Sequence, residues 1–597
     1  MNDTVPPQFR GEPLRTLIDF ASTGAAGSIR LRGAFGAPRQ VLAAQTLDAV
    51  RPVLDAAQAL AQQGHWCVGY VRYEAAPAFD ASLSVHAANA ADASEGPLAW
   101  FGVYHEMLPW PEPAPEAEVR VDWQAGIAQA EFERSLTEIH RAIADGEVYQ
   151  VNYTAPLQGR VQGSAHDLFL ALLRAQPGGF AACIDTGEEH VLSVSPELFF
   201  DWRDDRMLTR PMKGTAPRGA TPEQDQALAA ALAASAKERA ENVMIVDLIR
   251  NDLSRVARPF SVRVPRLFQL QSLPSVWQMT SDVEALTREG TTLADVFAAL
   301  FPCGSVTGAP KVSAMRLIRA LEPAPRGVYC GAVGVLQPGG AATFNVPIRT
   351  VTLRGHAARC GIGSGITSGA TAADEWQEWR HKRAFLDRAS QPFELLETLA
   401  LADGVLRHAD AHRARMRQAA AHFGYAWDER HIDDTLNQLV RQHPAGLWRV
   451  RLLLTAQGQA TAQAFAMPAA PARVRLQLAP SAFEAADSEF VRFKTTRRAH
   501  YDALAPTAPG VFDTLLWNRH GEITECTRGN IAVLQGGRWL TPALHCGLLA
   551  GVGRDHWLRE GRLSEAVLRL DDLRRAEGLA FINSLRGWID AELETSP

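Results

Sequence analysis

Glu197 and Lys213 lie sixteen residues apart in LSVSPELFFDWRDDRMLTRPMKGT (192–215), and together they offer a proton donor and a nitrogen nucleophile. The intervening chain can bring them together. Leu192, Leu198, Phe199 and Phe200 are strand formers, 201–205 is a polar turn, and 207–209 starts a return strand. Pro196 and Pro211 punctuate the two arms, which suits edges or bends. A Glu and a Lys on facing strands are more commonly a solvated ion pair, so this spacing alone does not decide the chemistry. A second grouping is Glu375, Glu378 and Lys382, spaced i, i+3 and i+7 on one helical face. Such a face could bind a hard cation through its carboxylates, or it could be a salt-bridged surface.

The elements that must position these groups follow from periodicity and punctuation. Helices are expected over 132–145, ending at Gly146, and over SAKERAENVMIVDLIRNDLSRV (235–256), which carries Glu241. Helical spacing also runs through 41–63, where Pro52 is expected to restart the helix rather than sit inside it. Strands are expected over VYQVNYTAPL (148–157), YCGAVGVL (329–336) and FNVPIRTV (344–351). HWCVGYVRYEAAPAF (65–79) reads as a strand running into a turn, and the proline-rich 109–118 as an exposed connection. FPCGSVTGAPK (301–311) is not a phosphate cradle, because Ala309 and Pro310 separate Gly308 from Lys311. Gly361, Gly363 and Gly365 allow close backbone approach, but G-x-G-x-G is not a dinucleotide fingerprint.

Composition sets the class. A chain of 597 residues is long for one core, and the motif vocabulary changes near residue 391, so domains of 1–390 and 391–597 are expected. Apolar content of 47% with 21% charged residues describes a soluble globular protein. A formal charge of -6 gives no basic field for nucleic acid. Neither an apolar leader nor a membrane-length run is visible. Seven cysteines without C-x-x-C spacing predict reduced thiols in the cytoplasm rather than disulfides or a zinc site.

SPELFF followed by RPMKGTAPRG resembles the chorismate-utilising enzymes, and the Lys before Gly-Thr resembles aminodeoxychorismate synthase component I. FPCGSVTGAPK is similar to that family's FPGGSITGAPK, with Cys303 replacing Gly. The resemblance implies an α+β domain of two packed sheets. It makes Lys213 the covalent nucleophile and Glu197 the acid, and it puts Gln150, Arg349, Gly363, Lys311 and Lys382 against the substrate. Gln150 stands where water-adding members carry lysine, and a neutral amide cannot deprotonate water. Arg349 would take a substrate carboxylate with its bidentate fork. Glu241 and Glu378 become Mg²⁺ ligands, with Glu375 as the substitute ligand. Ser364, Gly369 and Ala370 depart from the family's GGGIVADSDPxxE, which leaves the order of that loop open.

The remaining third resembles fold-type IV pyridoxal-phosphate enzymes. Motifs occur in order: HRARM (412–416), FKTTRRAHYD (493–502), DTLLWNRHGEITECTRGNIAVL (513–534) and GLLAGVGR (547–554). FINSLRGW (581–588) resembles the close of aminodeoxychorismate lyases. The resemblance implies a two-lobed α/β unit with pyridoxal 5'-phosphate in its cleft. Lys494 would carry the cofactor and Glu525 would face its pyridinium nitrogen. Arg415, Val552 and Gly553 would hold its phosphate, at a helix start that favours an anion.

The two resemblances together imply a bifunctional enzyme that converts chorismate and ammonia to 4-amino-4-deoxychorismate and then releases pyruvate to give 4-aminobenzoate for folate synthesis. No glutaminase Cys/His/Glu set is recognisable, which implies a separate glutamine amidotransferase subunit as ammonia donor. A homodimer through the second domain is compatible with the resemblance. The alternative is an anthranilate synthase component I domain fused to a fold-type IV aminotransferase. Lys213, where that synthase has alanine, and NSLRGW argue against it.

Overall fold

The computed structural model describes residues 15–594 apart from 26, 87–95, 112–118, 125, 220–221, 273–275 and 507. Most of the proline-rich connection at 109–118 therefore lies outside the described residues. The chain divides into two compact units, Met1–Pro392 and Phe393–Pro597.

The first unit is built on two antiparallel sheets, of nine and ten strands among the described residues. In the first sheet the long strand Gln150–Gln162 pairs with Ala357–Ile366, which pairs with Thr350–Arg354 and then His190–Ser195. In the second, Met212–Pro217 pairs with Val276–Leu286, and the path runs through Arg206–Arg210, Leu198–Arg203 and Ala342–Asn345. Ile18, Phe20, Phe180 and Ile184 of the first sheet form one buried cluster with Val68, Tyr70, Val333 and Val335 of the second. Each such residue contributes about 1.5–3 kcal/mol by leaving water. Helices Gln129–Ala144, Ala165–Ala175 and Ala372–Ala389 add Phe132, Phe169 and Trp379 to a cluster that includes Val151, Leu192 and Val351 of the first sheet. Leu47–Gln62, Ala236–Ser254 and Leu293–Leu300 add Leu54, Ile249 and Phe297 to another that includes Phe101 and Phe200 of the second.

Of the hairpin read from 192–215, the strands Leu198–Arg203 and Arg206–Arg210 are present around a turn where Asp204 has φ 52°, whereas Leu192 belongs to His190–Ser195 of the other sheet and Lys213 to a separate strand, Met212–Pro217. Pro52 differs from expectation, for it lies inside Leu47–Gln62 instead of restarting it. Its missing N–H costs one bond on a helix whose Val50, Leu54, Ala57 and Ala61 are wholly buried, so packing outweighs the breaker.

The chain crosses between the two sheets at Ser195–Leu198 and returns at Asn345–Thr350. The crossings lie side by side. Leu198 pairs with Asn345 in one sheet and Ser193 with Thr350 in the other. Ser195 Oγ donates to Val346 O (2.5 Å), and Val346 N donates to Glu197 O (3.1 Å). Glu197 and Arg349 sit on these crossings, and Arg349 takes φ 50° to make the turn.

Arg326 locks this end of the unit. Its buried guanidinium holds both carboxylate oxygens of Glu322 (2.7 and 2.9 Å), Val306 O (2.7 Å) and Asn152 O (2.7 Å). Glu322 in turn accepts from Thr154 N and Thr154 Oγ1.

The second unit has two sheets. Leu395–Ala402 and Val405–Leu406 form a hairpin across Asp403–Gly404, and Leu447–Leu454 and Ala460–Ala466 complete four strands. Helices Ala409–Phe423 and Glu429–Gln442 contribute Met416, Phe423, Ile432 and Leu436 to that lobe's core. The other lobe is an eight-stranded mixed sheet in which Arg473–Leu478 runs parallel to Asp513–Trp517 and Gly587–Leu593. All seven cysteines of the chain are buried and unpaired. No described helix is long and apolar enough to cross a membrane.

Replacing Arg326 leaves the Glu322 carboxylate buried without its cation. Arg326→Ala is expected to cost about 3–5 kcal/mol, read as a lower denaturant midpoint of the intact chain, with Arg326→Lys recovering only part. An unchanged midpoint would show that the pair is not structural.

Candidate functional site

Gln150 opens its strand beside the loop that precedes the helix Lys311–Leu321. Gly308 and Ala309 pair with Val151 and Gln150, and Asn152 N donates to Thr307 O (2.8 Å). Gln150 is wholly buried, yet neither its Oε1 nor its Nε2 has a hydrogen-bond partner. A buried amide left this way costs about 1–3 kcal/mol unless a ligand satisfies it. Gly365 faces the same space: a Cβ there would come within 2.4 Å of Gln150 Nε2 and 2.8 Å of Lys213 Nζ. Gln150 and Lys213 therefore share one gap over a glycine, although they come from different sheets. Lys213 Nζ has no hydrogen-bond or ion-pair partner among the described residues.

Glu197 faces the same region and is 3% exposed. Burial raises its pKa to about 7, against a hydrogen bond from Ser305 and the charges of Lys213 and Lys382. Its Oε1 has no partner. Such a carboxyl is protonated over the lower half of the physiological range and can donate. Ser305 was not singled out by sequence reasoning, and its only signal is its place in FPCGSVTGAPK, where its Oγ also lies 3.2 Å from Cys303 Sγ.

The carbonyl of Arg349 accepts from Val194 N (3.1 Å), while its guanidinium has no hydrogen-bond or ion-pair partner among the described residues. Burial and the neighbouring Arg388 push its pKa down, but a guanidinium stays charged, so the position calls for an anion. The other two expected substrate cations are engaged. Lys311 Nζ donates to Asp252 Oδ2 (2.8 Å) and Leu300 O, which ties the loop to Ala236–Ser254. Lys382 Nζ lies 2.6 Å from Glu378 Oε1 and donates to Gly363 O (2.9 Å).

Four carboxylates converge here, one more than sequence reasoning named. Glu238 sits one helical turn before Glu241, and Gly214 lies against its Oε2. Burial first, and then the charge of Glu378, raise the pKa of Glu238, Glu241 and Glu375, with Glu375 adding to the effect on Glu238 and Glu238 to that on Glu241. Glu378 is held below that range, because Lys382, Lys213 and Lys237 outweigh its desolvation. Oxygen donors that repel one another are the type of ligand a hard cation takes. Among the described residues no group of three or more His, Cys, Asp or Glu side chains is placed so as to hold a metal ion. The sequence departure at Ser364 has a structural role: its Oγ donates to Glu375 Oε2 (2.5 Å) and accepts from Trp379 Nε1 (3.0 Å).

In the second unit Lys494 follows the short helix Glu489–Arg492, and its carbonyl accepts from Leu396 N (3.0 Å). Burial and the charges of Arg498 and Arg415 lower its pKa to about 8, against Glu397 and Glu525. Glu525 is buried, and burial raises its carboxyl to about 7. Its Oε1 accepts from Tyr501 Oη (2.6 Å) and its Oε2 from Leu549 N (3.1 Å). Arg415 is held by Glu397 through two bonds (2.8 and 2.7 Å) and by Ala550 O. Glu397, absent from the sequence reading, also accepts from or shares a proton with His412 Nδ1 (2.6 Å). Gly551 caps the helix Val552–Arg559, where a Cβ would lie 1.9 Å from Asn530 Oδ1. A Cβ on Gly553 would strike the backbone of Asn583 and Ser584. A low-pKa lysine, a buried carboxylate and a glycine-bared helix start fit pyridoxal phosphate.

Gly365→Ala tests the shared gap. The atoms nearest the added methyl are side-chain atoms of Gln150 and Lys213 rather than backbone, so the fold should be kept. Displacing both by about 1 Å should slow turnover of the first unit about 10²-fold. Unchanged turnover would place the chemistry elsewhere.

Residues 108–388 match the family described as chorismate binding enzyme, and residues 394–592 match amino-transferase class IV. The chain is 43% identical over 257 residues to aminodeoxychorismate synthase component 1 of Klebsiella aerogenes, covering 43% of this chain and 57% of that protein. It is 42% identical over 284 residues to aminodeoxychorismate synthase of Streptomyces griseus, covering 47% and 39%. The chain thus spans about half the length of these curated relatives. Anthranilate synthase component I from Streptococcus pneumoniae shares the fold, with TM-score 0.50 at 22% identity over 64% of this chain and 95% of that one.

Proposed function

For a chain in which a chorismate-binding domain is followed by a class IV aminotransferase domain, we propose successive synthesis of 4-amino-4-deoxychorismate and 4-aminobenzoate. The observation that carries this reading is Lys213 beside Gln150 over Gly365, with partnerless polar atoms on Gln150 and Glu197.

In the first unit Glu197 protonates the 4-hydroxyl of chorismate, which leaves as water while Lys213 Nζ bonds to C2. Lys213 must first lose its proton. Gln150 cannot activate water, which leaves ammonia as the nucleophile at C4. Its addition shifts the ring double bonds back and expels Lys213 from C2. Arg349 receives a carboxylate of the substrate, and Lys311 and Lys382 keep the loop and Gly363 in place. Glu238, Glu241, Glu375 and Glu378 would hold Mg²⁺, whose charge would neutralise the other carboxylate. The component 1 name of a relative supports a separate amidotransferase as ammonia source.

In the second unit Lys494 would carry pyridoxal phosphate, Glu525 would face its ring nitrogen, and Arg415 with the N–H groups of Val552 and Gly553 would face its phosphate. The cofactor supplies an electron sink. Lys494, freed when the substrate's C4 amine takes its place and with its pKa lowered to about 8 by burial and two arginines, would remove the proton from C4 of the amino substrate. Loss of pyruvate then makes the ring aromatic.

Product analysis with chorismate and ammonium separates the halves. Lys213→Ala should lose aminodeoxychorismate formation but still release pyruvate from supplied intermediate, and a chelator should stop the same first step. Lys494→Ala should accumulate aminodeoxychorismate and lose the visible band that borohydride fixes to Lys494. Normal 4-aminobenzoate production by either variant would overturn its assignment.

The acid role has a sign. Glu197 donates only when protonated, so the first step should slow as pH rises through about 7. Glu197→Gln should lose about 10²–10⁴ in rate together with that limb. A limb that persists in Glu197→Gln would belong to another group.

A further inference from the structure

Tyr501 lies at the end of the lysine-bearing stretch FKTTRRAHYD with no role assigned to it above, in the short helix Ala499–Asp502 seven residues after Lys494. It is a buried phenol whose ring lies 5.5 Å from that of Phe483 and beneath the guanidinium of Arg498 (4.7 Å). Arg498 is itself anchored on Thr527 O (2.6 Å). The ring is thereby held with its hydroxyl 2.6 Å from Glu525 Oε1. Leu549 N occupies Oε2, so both oxygens of Glu525 receive a donor from the protein.

We infer that Tyr501 is a positioning residue for the second active site: its hydroxyl orients Glu525 and stabilises its carboxylate form, so that Glu525 can accept the ring N–H of pyridoxal phosphate. The inference rests on the proposed cofactor reading and goes beyond it, since nothing in that reading requires a phenol. The chemistry needs one. Burial alone favours a neutral Glu525, and a protonated carboxyl cannot stabilise a pyridinium cation. The groups that act on Glu525 are Tyr501, Leu549 N, Lys494 and Arg498, and the buried thiol of Cys526 feels the charges of both Glu525 and Asp513. Lys494 would no longer offer a full ammonium charge once its own nitrogen holds the cofactor. The hydrogen bonds of Tyr501 and Leu549 then carry more of the task. An O–H donated to a carboxylate is among the stronger hydrogen bonds available there.

The test uses the full chain and pyridoxal phosphate itself. Cofactor affinity and the visible absorption band are titrated against pH in the wild type, Tyr501→Phe and Glu525→Gln. Affinity should strengthen as pH rises through Glu525 ionisation. In Tyr501→Phe that transition should move to higher pH, because a donor that favoured the carboxylate is gone, and affinity at neutral pH should fall about tenfold. Glu525→Gln should abolish the transition. Site-specific 3,5-difluorotyrosine at 501, a more acidic phenol of nearly the same shape, should move it to lower pH, which covers a Tyr501→Phe variant that fails to fold. A wild-type transition in Tyr501→Phe or in the fluorinated protein would overturn the inference. A wild type that binds no pyridoxal phosphate, or is labelled away from Lys494, would instead overturn the cofactor reading.

Discussion

The buried guanidinium of Arg326 is the constraint on which the first site depends. It joins Glu322, Val306 O and Asn152 O, so one side chain fixes the strand that carries Gln150 and the loop that carries Ser305. A buried ion pair adds little net stability over an apolar packing, but its directional bonds set the register of what it joins. Here that register matters, because a one-residue slip of Gln150–Gln162 would turn Gln150 from the gap over Gly365 to the helix-covered face.

Around that anchor the site uses places where regular structure stops. Glu197 and Arg349 lie on the two crossings between sheets, where no ladder partner competes for their side chains. Lys213 stands on a strand whose pairing with Val276–Leu286 shifts register between Met212 and Thr215. Each group is unpaired or half-paired, which costs stability and leaves bonding capacity for a ligand. The cations that are paired, Lys311 with Asp252 and Lys382 with Glu378 and Gly363, hold the frame instead.

The second site solves a related problem with opposite means. Lys494 must be neutral to accept a proton, and burial beside two arginines drives it that way. Glu525 must be charged to face a cation, and burial opposes that, so hydrogen bonds from Tyr501 and Leu549 work against it. Neighbouring groups in one cleft are thus moved in different directions by the balance between desolvation and donors.

Element types and their order were determined locally: the 198–210 hairpin, the helices carrying Glu241 and Glu378, and the change of vocabulary near 391 all follow from periodicity, turn residues and motif words. The motif words also named most of the candidate site residues, since a Lys before Gly-Thr or a Glu in EITECTRGN is a local signature. Tertiary structure decided what no spacing encodes. Gln150 and Lys213 meet only because two sheets bring residues sixty-three positions apart over Gly365. Pro52 stays helical because the core beneath it outweighs a local breaker. Glu238, Ser305, Glu397 and Tyr501 gain their roles from a neighbour's burial, and the sequence by itself shows which groups can ionise but not how much water the fold removes from them.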